Sequence, residues 1–159
     1  MTERRTPRAD GADLNVSVVL PATREQVWAL VGDPINDPRW CPRVLDAVQV
    51  VGAGPGAGAT YRSRHRPVPG PVSTQLVLIE QWQPPARRRT TSTTADGTLS
   101  VEYELEAVDG GCRFTERDTF ALARTRRPLR AVFLMVKRRR VRQQFDCLRE
   151  LLTGGPVSP

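Results

Sequence analysis

Two carboxylates two residues apart on an otherwise apolar strand pattern are the most informative chemistry in this sequence. Between Cys112 and Leu122, the residues Phe114, Glu116, Asp118, Phe120 and Leu122 alternate with Arg113, Thr115, Arg117 and Thr119. Such alternation puts the first set on one face of a strand, and its aromatic members turn that face inward. Residues i and i+2 of a strand lie about 7 Å apart. Glu116 and Asp118, placed together in a low-dielectric interior, raise each other's pKa. A pair so placed can act as general acid and base in an aldol-type cyclisation or a dehydration. It can equally orient a bound molecule or be balanced by Arg side chains. His65, the only histidine, shares its alternating face with Tyr61 and Ser63. It is either a half-exposed residue or a third acid or base. Glu116, Asp118 and His65 are thus the candidates for catalysis.

Other chemistries lack their residues. No second His, Cys or carboxylate stands at ligand spacing from His65, so no metal site is expected. Cys41, Cys112 and Cys147 are an odd number without short spacing, which predicts reduced, buried thiols, a cytoplasmic setting and no zinc. No Gly-x-Ser-x-Gly elbow, His-Glu-x-x-His or P-loop is present. A strand running into Gly52-Ala53-Gly54 imitates a dinucleotide fingerprint. That motif needs a helix directly after its glycines, because the pyrophosphate sits on the helix N-terminus. Here Pro55 and the strand-like Thr60 to Arg66 follow, so the loop is expected to be a hairpin connection, and no cofactor is expected.

The chain has 159 residues and a formal net charge of +7, which suits one domain with a real core. The basic residues are Arg apart from Lys137, and with abundant Ala, Pro and Gly they reflect GC-rich codon usage. No aromatic and basic residues interleave and no helix-turn-helix is evident, so no nucleic acid partner is expected. Residues 1–12 form a polar, Arg-rich stretch expected to be a disordered tail, without the apolar core of a signal peptide. No apolar run approaches the ~20 residues of a membrane span.

These candidates need elements to hold them. Leu14, Val16, Val18 and Leu20 alternate as a half-buried strand. Thr23 and Gln26 then form a capping box for a helix carrying Val27, Trp28, Leu30 and Val31. A short turn or second helix carries Trp40, and a strand from Ala47 to Val51 follows. Further strands are expected over Thr60 to Arg66, Ser73 to Gln83 (faces unassigned, Trp82 included), Arg87 to Thr94, Thr98 to Ala107 and Cys112 to Leu122. The polar Arg87 to Thr94 is expected at an exposed position. Turns fall at Ala95-Asp96-Gly97 and Asp109-Gly110-Gly111. Pro128 to Leu152 is the longest stretch without Gly or internal Pro, a helix of about 37 Å, stopped by Gly154, Gly155 and Pro156. Its stripe is Ala131, Leu134, Val141, Phe145, Leu148 and Leu152, interrupted near Arg138. Lys137 to Arg142 is read as a solvated basic face beside a buried N-terminal half, or as a homodimer contact, rather than as a membrane-binding surface.

The order strand, two helices, six strands, long helix resembles the START-like, or SRPBCC, superfamily. Within it the chain is most similar to the actinobacterial polyketide cyclase/dehydrase-like subgroup. The resemblance rests on Val18 to Val31, Trp40-Cys41-Pro42, Gly56 to Tyr61, Glu80 to Pro85 and Asp109 to Arg113. It implies an α+β helix-grip fold over 13–153, with a tail over 154–159. In that fold a curved antiparallel sheet of six to seven strands wraps a long C-terminal helix, with two short helices after the first strand. It also implies an apolar cavity between sheet and helix that binds a hydrophobic small molecule, a lipid or a polyketide-like compound. An aromatase/cyclase or dehydrase and a regulatory or protein-interaction module are the alternatives. Such a cavity needs a few polar groups to orient its ligand. The expected contacts are the polar Ser63, His65, Glu116 and Asp118 and the aromatic Tyr61, Phe120, Trp40 and Tyr103. Trp40 and Tyr103 stand either at the cavity or in simple core packing.

Overall fold

The computed structural model describes residues 13–66, 70–94, 97–122 and 128–154. The expected tail over 1–12, the expected tail over 154–159 apart from Gly154, the middle of the Pro67 to Pro71 loop and the Ala95-Asp96 part of the expected turn lie outside the described residues. The element order is β1 (Leu14–Leu20), α1 (Arg24–Val31), a 3₁₀ turn (Pro34–Asn36), α2 (Asp37–Trp40), β2 (Val44–Val51), β3 (Thr60–His65), β4 (Ser73–Gln83), β5 (Arg87–Thr94), β6 (Gly97–Val108), β7 (Gly111–Leu122) and α3 (Arg130–Thr153). All seven strands form one antiparallel sheet in the order β1-β7-β6-β5-β4-β3-β2. This is the helix-grip α+β fold expected from the sequence.

Local chemistry sets the boundaries. Thr23 and Gln26 exchange backbone and side-chain hydrogen bonds at 3.2 and 2.8 Å, closing the capping box of α1. The β6–β7 turn brings Gly111 against β1. A Cβ there would stand 1.9 Å from the Leu20 carbonyl oxygen, and its φ of +149° suits only glycine. The Gly52–Gly58 loop joins two antiparallel strands, so the helix that a phosphate cradle needs does not follow it.

The grip is made by the C-terminal half of α3. Val141, Phe145 and Leu148 are buried in a core shared with Leu14 and Leu20 of β1, Val27 and Val31 of α1, and Leu105 and Phe114 of the sheet. Asp13 fastens the other end. Its carboxylate accepts the Phe120 N–H at 2.6 Å and pairs with Arg130 in the first turn of α3.

Several expectations need correction. Arg87 to Thr94 is not an exposed strand but the central one, with Arg88, Thr90 and Ser92 facing inward and buried. Arg88 keeps its charge in the core because it stacks 4.6 Å over the Tyr103 ring and lies 3.6 Å from Asp37. The N-terminal half of α3 is only partly buried: Ala131, Val132, Met135 and Val136 are exposed, while Phe133 and Leu134 pack against the core. Lys137 does not belong to a solvated basic face and turns inward. In β4, Ile79 faces the core while Leu76 and Leu78 face out.

On the outer face, charge is consumed across strands. Arg87 pairs with Glu104 and Arg89 with Glu102, at 3.0 and 2.7 Å. Arg117 reaches both Glu102 and Glu104, and Arg113 reaches Glu106. Part of the arginine content is therefore a cross-strand charge ladder.

Candidate functional site

The inner face of β7 carries Glu116 and Asp118 side by side, 1% and 0% exposed. Strand alternation puts them there, between Phe114 and Phe120, as the sequence implied. The residue that meets them comes from α3. Lys137 Nζ lies 3.4 Å from Asp118 Oδ2 and 3.7 Å from Glu116 Oε1. Burial is the main force on Glu116 and pushes its carboxyl up to about 8, with the Asp118 charge adding to the rise and Lys137 offsetting part of it. Burial also raises Asp118, against the pull of Lys137. For Lys137, burial disfavours the charge, but Asp118 and Glu116 outweigh it and hold the ammonium above its ordinary range. At neutral pH Glu116 therefore holds its proton, and Lys137 lies against both carboxyl groups.

Sequence reasoning missed Lys137, yet a signal existed. The apolar stripe of α3 skips from Leu134 to Val141, and position 137 fills that gap at i+3 and i−4 spacing. It is the one Lys in a chain whose other basic residues are Arg. A flexible ammonium stem can reach a buried carboxylate pair more compactly than a guanidinium.

Lys137 is 19% exposed because it also lines a cleft of about 210 Å³ between the N-terminal half of α3 and the sheet. Leu99, Phe120, Leu122 and Phe133 form the apolar wall. Phe133 meets Phe120 edge-on at 4.8 Å, so the helix and β7 close one end of the cleft with rings. His65 and Gln75 stand on the opposite wall. The amide of Gln75 approaches His65 Nε2 at 2.7 Å and Ser63 Oγ lies 2.8 Å from the same nitrogen. A neutral imidazole can take part in both contacts, donating or accepting according to its tautomer. Burial, reinforced by the Lys137 charge, pushes His65 down to about 4, which keeps the ring neutral.

The remaining sequence candidates sit deeper. Trp40 and Tyr103 pack edge to face at 5.7 Å, and each also meets Phe114, at 6.0 and 5.2 Å. Phe145 completes that aromatic cluster from α3. Tyr61 belongs to a small cluster with Ala59 and Ile79. Ser63 backs His65. The structure thus joins His65, Phe120 and, through Lys137, Glu116 and Asp118 around one cleft, while Trp40, Tyr61 and Tyr103 are buried and do not line it. Cys41 is buried and accepts a hydrogen bond from the Gln144 amide at 3.0 Å. Burial raises its thiol well above the ordinary range, which makes it a packing residue rather than a nucleophile. Among the described residues no group of three or more His, Cys, Asp or Glu could hold a metal ion, and no helix is long and apolar enough to cross a membrane.

Comparison with known proteins fits this fold. The family model described as polyketide cyclase / dehydrase and lipid transport matches residues 11–153. An uncharacterised protein of Mycobacterium tuberculosis is 31% identical over 121 residues, covering 74% of this chain and 70% of its own. Among solved structures, one half of the di-domain aromatase/cyclase StfQ from the steffimycin biosynthetic pathway superposes with a TM-score of 0.75. The identity is 8%, over 89% of this chain and 50% of that one. Protein TTHA0849 of Thermus thermophilus gives a TM-score of 0.73 at 19% identity, covering 89% and 97% of the two chains. Ara h 8.0201 gives 0.66 at 20% identity, with 89% and 97% covered. At these identities the structures share the fold.

Proposed function

Because the chain belongs to the polyketide cyclase / dehydrase and lipid transport family of the START-like superfamily, we propose that it binds a hydrophobic small molecule, polyketide-like or lipid, between the sheet and α3. The observation that carries this reading is the cleft itself, with four apolar side chains on its wall and His65, Gln75 and Lys137 converging on it. A cleft with an apolar wall on which fixed polar groups converge is the usual form of a small-molecule site. Trp40 and Tyr103 belong to the core that includes Phe120 and against which Leu99, Leu122 and Phe133 pack, and Ser63 holds the imidazole of His65.

In this reading Glu116 and Asp118 hold Lys137 at the cleft and set the polarity of its floor. The competing reading is an enzyme. A carboxyl held near 8 is protonated at neutral pH and can give a proton to a ligand oxygen, and Lys137 can steady the charge that develops there. Glu116→Gln and Asp118→Asn keep shape while removing charge. A binding protein keeps its affinity for a co-purified ligand within about 1–2 kcal/mol in both variants. An enzyme retains binding but loses turnover by roughly 10²–10⁴-fold. Native mass spectrometry of the purified chain identifies the ligand, and product analysis distinguishes the two. The binding reading expects unchanged ligand mass after incubation. Conversion by wild type but not by Glu116→Gln would overturn it in favour of a cyclase or dehydrase.

A further inference from the structure

The rim of the cleft has a charge pattern that the carboxylate–lysine trio does not explain. Arg43, Arg66 and Arg140 join Lys137 in lining it, and no Asp or Glu lines it. The charge of Lys137 is met by Asp118 at 3.4 Å, so the three guanidinium groups supply the net positive field. Elsewhere several arginines are paired, among them Arg64 with Asp46, Arg87 with Glu104, Arg89 with Glu102 and Arg130 with Asp13, while Arg39, Arg62, Arg138, Arg139 and Arg142 are exposed to water. Arg43, Arg66 and Arg140 have no ion pair among the described residues.

Their placement is fixed by the fold. Arg43 precedes β2 and Arg66 follows β3. The Arg66 N–H donates to the Arg43 carbonyl at 2.9 Å, which locks the two positions together at the sheet margin. Arg140 faces them from α3, one turn beyond Lys137. Its Nε is buried with no hydrogen-bond partner, and the residue lines the cleft. The nearby charge of Arg43 adds to burial in lowering Arg140 below its ordinary range, as expected of like charges with no anion between them. Leaving such groups unpaired costs stability, and an anion placed among them would recover it.

We infer that the ligand is an amphipathic anion, whose apolar body lies against Leu99, Phe120, Leu122 and Phe133 and whose single carboxylate or phosphate monoester is held by Arg43, Arg66 and Arg140. This rests on the binding reading above and narrows the ligand class. Planar bidentate donors suit both anions.

Naphthalene probes with one ring body and different heads test it: 1-naphthoate, 1-naphthyl phosphate, 1-naphthalenemethanol and 1-naphthylmethylammonium. Affinities come from fluorescence titration of the full chain. At least one anion should bind roughly tenfold or more tighter than the alcohol, and the ammonium weakest. Whichever anion binds tighter assigns the head as carboxylate or phosphate. Raising the salt should shrink the preference. In the double variant Arg43→Gln, Arg140→Gln the preference should fall to within roughly threefold while the alcohol's affinity is kept. Equal binding of anions and alcohol by wild type, or an unchanged preference in the double variant, would overturn the inference and leave the cleft as a site for neutral ligands. Binding of none of the four would overturn the cleft reading together with this one.

Discussion

At the scale of single residues, the site is built from groups whose protonation is set by burial, and two of them titrate in opposite senses. His65 is held neutral down to about 4, well below the ordinary 6.5. Because it is the only histidine, its Cε1–H proton gives a single histidine NMR signal. That signal should stay flat between about pH 8 and pH 5.5; a midpoint near 6.5 would contradict its burial beside Lys137. Glu116 goes the other way. Its folded value of about 8 lies above the ordinary 4.5, so the folded state holds the proton that the unfolded chain releases. Folding stability therefore falls from this group as pH rises from about 4.5 to about 8, and the loss is constant above that. Glu116→Gln abolishes this dependence, so the variant should gain on wild type between about pH 5 and pH 8.5 in urea denaturation. An equal difference at both pH values would show that Glu116 is not the perturbed group. The carboxylates and the histidine were legible in the sequence because period-2 alternation assigns faces directly. Lys137 was not, because a run of cations from 137 to 140 hides one inward member in a helix pattern with a 100° step. Which face it takes depends on the sheet it meets.

At the scale of elements, α3 has two unlike halves. Val141, Phe145 and Leu148 anchor its C-terminal half, whereas Val132 and Met135 are 56% and 67% exposed. Phe145→Ala should cost about 3 kcal/mol or more, whereas Val132→Ser with Met135→Ser should stay within about 0.5 kcal/mol per substitution. Chemical denaturation measures both, and a large loss from the second pair would mean that this half is packed after all. The long helix was evident from the absence of breakers, and its anchoring stripe from the spacing. Exposure of its first turns was not, since apolar composition alone cannot say whether a partner surface reaches that far. Strand β5 shows the converse. Its polar residues suggested an outer position, but sheet order, not composition, decides burial. Arg88 is tolerated at the centre because Tyr103 and Asp37 receive it.

At the scale of the whole molecule, one sheet grips the C-terminal half of one helix and leaves its N-terminal half to roof a cleft. The architecture was readable from element order because six consecutive strands with short turns favour an antiparallel sheet, and a single long amphipathic helix is what remains to cover it. The cleft was not readable, since it is the space where packing stops. The central claim is that this space holds an apolar ligand. It is tested most directly by methyl NMR during titration with 1-naphthoate or 1-naphthalenemethanol. The ring current of a bound naphthalene should move the methyl signals of Leu99 and Leu122, on the cleft wall, and leave those of Leu76 and Leu78, on the outer face, in place. Shifts confined to Leu76 and Leu78, or no shift at any of the four with either probe, would contradict it.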